Sequence, residues 1–276
     1  MLMGLVLVFD LDQTVIDTET LWDTSGVKQI FSQSGYLNTD ETNSLKKLIY
    51  DNLNKKVAEI ILRAAIIRSY TGLFSKWPRN QVSAICLLTN NLHKTYIALV
   101  DEVFLNISGL SGLYGSGGNK NVKSNSNLYR APFFFDYIMY RKHPSRLTNT
   151  DNPPKRLQDV NIMLKYLNIH FDISGKPDNN SNLFFFDDRD PKHLIHSQIP
   201  PENYIQITPP FNIRTADKTD YSAILDILDS IDHTGKVFSG IPPFCTGRNC
   251  FGRPTKGGSR RIKNGFKKRR RTVKST

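Results

Sequence analysis

The sequence predicts an α/β fold with a Rossmann-like, mostly parallel sheet and helices on both of its faces. The apolar run Leu5–Phe9 is continuous, which is typical of a strand that is buried on both faces. Further short apolar runs alternate along the chain with segments of helical periodicity. This alternation is typical of β–α–β units, in which the strands are parallel.

Four more strands are predicted from short runs rich in Leu, Ile, Phe and Tyr, at residues 85–88, 133–140, 183–186 and 204–207. Three helices are predicted from apolar residues at three-to-four spacing, at residues 92–107, 157–167 and 221–231.

Residues 15–80 are longer than a crossover between parallel strands requires, because about a dozen residues suffice. Apolar residues recur at helical spacing from Leu45 to Ile67, behind the helix-capping types Asn38-Thr39-Asp40. We therefore expect a helical insert after the first strand, built on one long amphipathic helix. Residues 108–127 are rich in Gly, Ser and Asn and are expected to form a flexible loop.

The positive charge is confined to the C-terminal end of the chain. The formal net charge is +12, and residues 248–276 hold twelve Lys or Arg and no Asp or Glu, so residues 1–247 are neutral. We expect a folded domain over residues 1–232 and a basic, disordered tail over residues 233–276. The tail is expected to attract nucleic acid or to act as a nuclear-targeting signal.

Composition excludes several classes of protein. Apolar residues make up 39% of the chain, which is enough for a core and excludes global disorder. Three cysteines cannot form the disulfide framework of a small secreted domain. No apolar run reaches the roughly 20 residues of a membrane span. We expect an intracellular protein, with the nucleus or a viral replication compartment favoured by the basic tail and the Asn-rich composition.

Carboxyl, hydroxyl and amide side chains directly follow three of the predicted strands: Asp10-Leu11-Asp12-Gln13-Thr14, Thr89-Asn90-Asn91 and Asp187-Asp188. Ligands of open α/β sheets bind beyond the carboxyl ends of the strands, so these side chains are expected to lie together. Lys155, which follows Pro153-Pro154 at a predicted helix start, is the expected cation beside them. Lys142 and Lys165 are its rivals.

These residues, in this order, resemble the four motifs of the haloacid dehalogenase-like (HAD) phosphohydrolase superfamily. Asp-x-Asp-x-Thr begins at Asp10, a hydroxyl follows an apolar strand at Thr89, the lysine is Lys155, and the paired acids begin at Asp187. The resemblance covers residues 5–207 apart from the inserts. It implies a Mg²⁺-dependent phosphatase that works through an aspartyl phosphate, and an insert placed where caps of this superfamily cover the active site.

The resemblance also implies a role for each residue. Asp10 attacks phosphorus, and Asp12 protonates the leaving alcohol and then activates water. Thr89, Asn90 and Lys155 bind the phosphate group. The expected Mg²⁺ ligands are the acidic residues at the strand ends, with Asp12 acting through its backbone carbonyl and Asp188 as an outer or alternative ligand: Asp10, Asp12, Asp187 and Asp188.

Within the superfamily, two segments resemble the phosphatases that act on the carboxy-terminal domain of polymerase II. The aromatic strand at residues 133–140 ends in Arg141, and Lys155-Arg156-Leu157 resembles the Lys-Asp-Leu of that branch. Gln13, Arg156 and Asn90-Asn91 depart from the pattern of that branch, which has Glu, Asp and Ala-Ser at these positions. A phosphoprotein is therefore one expected substrate. A nucleic-acid end-phosphatase or nucleotidase is the second interpretation, and a binding protein that has kept the fold without catalysis is the third.

Two other pairs could contribute to metal sites. His193 and His196 are spaced as metal ligands can be, and Cys245 and Cys250 flank a short segment. Each pair supplies only half of a zinc site, so we expect surface histidines and free thiols.

Overall fold

The structure is a computed structural model that describes residues 4–24, 26–27, 30, 37–71, 82–109, 134–146, 154–167, 169, 182–190, 199, 201–232 and 238–244. The chain divides into two units, Met1–Cys245 and Thr246–Thr276. The second unit, predicted to be a disordered tail, and most of the flexible loop predicted at residues 108–127 lie outside the described residues.

The first unit contains a five-stranded sheet in which every neighbouring pair of strands is parallel, with the order β3-β2-β1-β4-β5. The strands are β1 (Leu5–Phe9), β2 (Val82–Leu88), β3 (Tyr137–Met139), β4 (Leu183–Asp187) and β5 (Tyr204–Gln206). The predicted α/β class and the parallel sheet are confirmed.

The strand order reverses between β1 and β4, because the chain moves outward to one edge through β2 and β3 and to the other through β4 and β5. Phe9 lies opposite Phe186 in the register, and the N–H of Asp10 donates to the carbonyl of Phe186 at 2.8 Å. Such a reversal opens a crevice beyond the strand ends, which is where ligands of these folds bind. Asp10 and Asp187 therefore stand on the two sides of that crevice.

Helices cover both faces of the sheet, as predicted. The described helices are α1 (Thr18–Asp23), α2 (Thr39–Asp51), α3 (Lys55–Thr71), α4 (Lys94–Ser108), α5 (Leu157–Tyr166) and α6 (Ser222–Ile231). Leu5, Leu7 and Phe9 of β1 share a hydrophobic core with α1 to α4 and α6. Val6 and Val8 point to the other face, where they share a core with α5. This alternation follows from the two-residue period of a strand.

The single long helix predicted between Asn38 and Ile67 is two helices, so that prediction was wrong. The chain turns at Asn52-Leu53-Asn54, where the side-chain oxygen of Asn54 caps α3 by accepting from the N–H groups of Lys56 and Val57. The backbone of the turn bonds to the loop after β1, with the N–H of Asn54 donating to Val15 at 2.8 Å. The apolar periodicity continues across the break, which is why the sequence pattern did not show it. The predicted capping residue Asn38 does begin α2, in a capping box with Glu41.

The helices of the insert belong to the main domain. α3 packs against β2, and α2 packs against α4. Their buried side chains lie in the same core as Leu7 and Phe9 of the central strand. Within the described part of the insert, α2 and α3 thus form a layer over the sheet. α1 is the helix that lies next to the carboxyl ends of the strands, where its Thr18 and Trp22 are close to Asp12.

The packed part of the chain extends beyond the boundary predicted at residue 232. Phe238, Ile241 and Phe244 pack against the core next to the sheet. The ring of Phe244 stacks on that of Tyr50 with centroids 5.6 Å apart, and the Tyr50 hydroxyl donates to the carbonyl of Pro242. Residues 238–244, which the sequence assigns to the tail, therefore contribute apolar side chains that pack against the core.

Strand β3 is shorter than the predicted strand at residues 133–140. The N–H groups of Phe134 and Phe135 donate to the buried carboxylate of Asp101 on α4. These two residues therefore precede the ladder instead of joining it. None of the described helices is both long enough and apolar enough to cross a membrane.

Candidate active site

The loop after β1 is held in a tight, defined conformation. Gln13 has a φ of 57°, which is uncommon for a residue other than glycine. Its side-chain oxygen accepts from both the N–H and the hydroxyl of Thr18, at 2.8 and 2.7 Å. Its amide donates to the carbonyl of Phe211, whose N–H donates back to the Gln13 carbonyl. Gln13 thereby ties the loop that carries Asp10 and Asp12 to α1 and to the segment after β5.

Lys155 joins the two acidic strand ends. Its ammonium lies 2.7 Å from Oδ2 of Asp10 and 2.7 Å from Oδ2 of Asp187, and all three side chains are buried. Burial alone would lower the pKa of Lys155, but the negative charges of Asp10 and Asp187 raise it above its ordinary value. Lys155 is therefore a charged ammonium between two carboxylates. Its rivals Lys142 and Lys165 are both exposed.

Three carboxylates converge beside this lysine. Asp10, Asp187 and Asp188 each offer an oxygen, and the three oxygens lie within 4.8 Å of one another. Oδ1 of Asp10 is buried and has no hydrogen-bond partner among the described residues. Burial raises the pKa of Asp10 well above its ordinary value, the Lys155 ammonium opposes this, and the charge of Asp187 adds to it. Such a cluster of oxygen donors could hold a metal ion.

Asp188 is less buried than Asp10 and Asp187. Burial and the neighbouring charge of Asp187 raise the pKa of Asp188 to about 6. Oδ1 of Asp187 accepts from the backbone N–H of Arg189 at 3.0 Å, which fixes the orientation of that carboxylate.

The Asp12 carboxylate faces the loop after β2 instead of the three-carboxylate cluster. Oδ1 of Asp12 accepts from the side-chain amide of Asn91 at 3.0 Å, and its Oδ2 lies 3.4 Å from the hydroxyl of Thr89. Burial raises the pKa of Asp12, although the hydrogen bond from Asn91 and the charge of Lys155 oppose the shift. Asp12 was predicted to hold the metal through its backbone carbonyl, and its side chain is not part of the carboxylate cluster found among the described residues.

The side chain of Asn90 is held by a buried arginine. Its oxygen accepts from the guanidinium of Arg146 at 2.9 Å, and the same Arg146 nitrogen donates to the carbonyl of Thr89 at 3.1 Å. A second Arg146 nitrogen lies 3.6 Å from Asp159 on α5. The buried Arg146 therefore connects the loop after β2 to α5, the helix that follows Lys155. The predicted contact of Asn90 with a phosphate group stays a prediction.

A cavity of about 310 Å³ opens beside Asp12. Its walls come from the loop after β1, from α1, from the loop after β2, and from the segments after β3 and β4: Asp12, Thr18, Trp22, Asn90, Asn91, Leu92, His93, Arg141 and Arg189. The Trp22 and His93 rings lie with centroids 5.3 Å apart. The Nε–H of Arg141 donates to the carbonyl of Asn90 at 2.7 Å.

The fold thus brings the predicted residues Asp10, Asp12, Thr89, Lys155 and Asp187 to one edge of the sheet, as the strand-end argument anticipated. Thr14 of the first motif is fully buried, and no hydrogen-bond partner of its hydroxyl lies within the described residues. The histidine pair at residues 193 and 196 and the cysteines at 245 and 250 lie outside the described residues. Cys86 is a buried free cysteine in β2.

Four contributors to the site had no function assigned from the sequence: Gln13, Asn91, Arg146 and Trp22. Asn91 carried a usable signal, because it follows Asn90 in the same strand-end segment. No signal in the sequence indicated the contacts of Gln13 with Phe211, of Arg146 with Asn90 or of Trp22 with His93, because these partners are distant in the sequence. In the sequence, Gln13 is notable only because it departs from the pattern of the phosphatases that act on the carboxy-terminal domain of polymerase II.

Comparisons of the chain with protein-family models, with curated proteins and with solved structures each found no match. Any functional assignment therefore depends on the chemistry of these residues. The site can supply three kinds of chemistry. The charged Lys155 can bind an anionic group, and the Asp10 carboxylate can act as a nucleophile. Asp12, which is hydrogen-bonded apart from the Asp10, Asp187 and Asp188 cluster, can transfer a proton.

Proposed function

We propose that this chain is a Mg²⁺-dependent phosphatase that hydrolyses phosphate monoesters through an aspartyl phosphate on Asp10. The observation that carries the proposal is the environment of Asp10. One of its oxygens is paired with Lys155 at 2.7 Å, and the other is buried without a hydrogen-bond partner among the described residues. A carboxylate held in this way has one oxygen left for phosphorus or for a cation.

The residues present fit a magnesium ion. Asp10, Asp187 and Asp188 supply only carboxylate oxygens, the donor type that Mg²⁺ prefers. Among the described residues, the three acids face the Lys155 ammonium and the Arg189 guanidinium near Asp188. One negative charge is left in excess, which a divalent cation would help to balance. When bound there, Mg²⁺ supplies charge neutralisation that allows an anionic phosphate to approach a carboxylate.

In the first step, an Asp10 oxygen attacks phosphorus while the bond between phosphorus and the ester oxygen breaks. The departing oxygen takes a proton from Asp12, whose raised pKa favours the protonated form that this step needs. The products are an aspartyl phosphate on Asp10 and a free alcohol. Lys155 lies next to Asp10 and stabilises the negative charge of the transferred group.

In the second step, Asp12 accepts a proton from water, and the resulting hydroxide attacks phosphorus. The bond between phosphorus and Asp10 breaks, which releases inorganic phosphate and restores the Asp10 carboxylate. Asp12 is protonated again, ready for the next cycle. The contacts of Asp12 with Asn91 and Thr89 hold its carboxylate apart from the Asp10 cluster, where it can serve the leaving group and then the water.

The test is phosphate release from an alkyl phosphate and from an aryl phosphate by the full chain. We expect turnover with Mg²⁺, loss of turnover in EDTA, and recovery when Mg²⁺ is restored. Asp10→Asn keeps the shape of the side chain but removes the nucleophile, so kcat should fall by several orders of magnitude. Lys165→Ala, on the exposed side of α5, is the control. Full activity in EDTA would refute the role of the metal, and the absence of any turnover would favour a binding protein.

A further inference from the structure

The cavity beside Asp12 lies on the leaving-group side of the proposed reaction. Asp12 forms part of its wall, whereas Asp10, Asp187 and Lys155 are not among the described residues that line it. Since Asp12 protonates the departing oxygen, the transferred phosphate lies toward Asp10 and the rest of the substrate lies toward the cavity. The lining therefore selects the alcohol part of the substrate.

The lining combines aromatic surface with positive charge. Trp22 and His93 place two rings on one wall, tilted by 54°, and the neighbouring Leu92 is 37% exposed. Arg141 and Arg189 also reach the cavity, and Asp12 is the one acid among the described residues that line it. A substrate that contacts both the rings and the arginines has a flat aromatic group, and it has a negative charge in addition to that of the transferred phosphate.

We propose that the substrate is the phosphorylated end of a nucleic-acid strand, an inference that rests on the proposed phosphatase function. The terminal base packs against Trp22 and His93, and the next phosphate of the strand lies near Arg141 and Arg189. Bases stack on aromatic side chains regardless of sequence, and arginines pair readily with phosphate oxygens. A phosphoserine or phosphothreonine peptide has no planar leaving group for the rings.

The size of the cavity and the charge of the chain favour the same substrate. A volume of about 310 Å³ is at the small end of ligand pockets and suits about one nucleotide unit. Residues 248–276 carry twelve Lys or Arg and no acid, which gives the chain an attraction to polyanions that does not depend on base sequence. A strand end would use this attraction, whereas a free mononucleotide would gain little from it.

The first test compares kcat/KM for oligonucleotides phosphorylated at the 3′ or the 5′ end, a mononucleotide, a phosphoserine peptide and glycerol phosphate. We expect one of the oligonucleotides to exceed the mononucleotide and the peptide by at least roughly tenfold, an advantage that shrinks as salt increases. Trp22→Leu should lower the ratio of oligonucleotide to glycerol phosphate turnover by roughly tenfold, the contribution of one stacked base. Trp22→Phe, which keeps a ring, should largely retain that ratio.

The second test does not depend on activity. The chain has two tryptophans, and one of them is Trp22. Titration of the Asp10→Asn variant with the phosphorylated oligonucleotide should quench tryptophan fluorescence in a saturable manner. The same titration in the Asp10→Asn variant that also carries Trp22→Phe should lose most of that quenching.

The outcomes separate the two proposals. Failure of every phosphate ester to turn over would refute the phosphatase, while the fluorescence titration would still report on the cavity. Turnover with the phosphopeptide preferred, or oligonucleotide binding without quenching from Trp22, would overturn the substrate assignment and leave the phosphatase standing. Preference for the mononucleotide would overturn the strand end in particular.

Discussion

The side-chain amide of Asn91 donates to both carboxylate oxygens of Asp12, at 3.0 Å to Oδ1 and 3.3 Å to Oδ2. The Asn91 oxygen accepts from the N–H of His93, which fixes the amide in the orientation that faces Asp12. The loop after β2 therefore determines where the proposed proton-transfer group points. A catalytic acid must lie within hydrogen-bond reach of the oxygen that it protonates, so this contact bears directly on rate.

Asn91→Asp should slow the first step of the reaction far more with an alkyl phosphate than with an aryl phosphate. The variant keeps the oxygen that accepts from His93, loses the donor to Asp12, and places a second carboxylate beside it. An alkyl leaving group needs the proton, whereas an aryl leaving group departs without one. The rate of the first step, followed as alcohol release in a single turnover, should therefore fall by about a hundredfold for the alkyl ester and far less for the aryl ester. Asn43→Asp, at a partly exposed position of α2, is the matched control. Equal losses for the two esters would argue against this function of Asn91.

Lys155→Met should impair both stability and catalysis in the metal-free protein. Removal of the ammonium leaves the buried carboxylates of Asp10 and Asp187 without their shared partner. The free energy of unfolding, measured in urea, should fall by roughly 3 kcal/mol. Mg²⁺ should restore more stability to the variant than it adds to the wild type, because it replaces the missing positive charge.

The control for this experiment is Lys142→Met, which changes an exposed lysine. For Lys155→Met, kcat with saturating Mg²⁺ should still be lower by about a hundredfold or more, because Mg²⁺ does not replace the ammonium beside the transferred group. Wild-type kcat in this variant would show that Lys155 is only a structural ion-pair partner.

Arg146 should be energetically coupled to Asn90. Arg146→Met removes the guanidinium that donates to the Asn90 side chain and to the Thr89 carbonyl. Asn90→Ala removes the other partner of the first contact. In a double-mutant cycle on kcat/KM, the two losses should be non-additive by roughly 1 kcal/mol. Arg214→Met, at an exposed position, should add independently to Asn90→Ala, and additivity in both cycles would exclude the proposed positioning role of Arg146.

The stability of the protein should depend on pH through Asp101. Burial raises the pKa of Asp101 from 3.8 to about 7, although the N–H groups of Phe134 and Phe135 donate to it and oppose the shift. The folded state binds this proton more tightly than the unfolded state does. The free energy of unfolding therefore falls as pH rises from about 4 to about 7 and levels off above that range.

The measurement is urea unfolding of the wild type and of Asp101→Asn at pH values across that range. Asn keeps an oxygen for the two N–H groups but does not titrate. Between about pH 5 and pH 8, the wild type should lose roughly 2 kcal/mol more stability than the variant does. Parallel pH profiles of the two proteins would contradict the raised pKa of Asp101.

The strand ends could be predicted from the sequence because the determining signals are local. A continuous apolar run followed at once by acids, as at Phe9-Asp10 and Phe186-Asp187, specifies both a buried strand and its polar end. The convergence of Asp10, Lys155 and Asp187 then follows from the parallel arrangement. The break at Asn52-Leu53-Asn54 could not be predicted from periodicity, because the Asn54 cap and its bond to Val15 interrupt the helix without interrupting the apolar pattern.

Contacts between distant segments were beyond prediction for a different reason. In the sequence, Arg146 is indistinguishable from an ordinary polar residue that follows a strand. Only the fold brings its guanidinium to the carbonyl of Thr89 and to the carboxylate of Asp159. Trp22 lies in α1, and in a single sequence an apolar side chain of a helix is expected to pack in the core. Its contact with His93 depends on how α1 packs against the start of α4. Pair contacts of this kind are determined by the packing of elements and have no signature in a single sequence.

The central claim is that Asp10 becomes phosphorylated during turnover. The most direct measurement is mass spectrometry of the Asp12→Asn variant, quenched in acid after it reacts with an aryl phosphate and Mg²⁺. Because the aryl group departs without a proton and the water lacks its base, phosphate should accumulate on the enzyme. The account predicts phosphate on the peptide that contains Asp10, and its absence when Asp10→Asn is added. Phosphate on another residue, or steady turnover by the doubly substituted protein, would contradict the account.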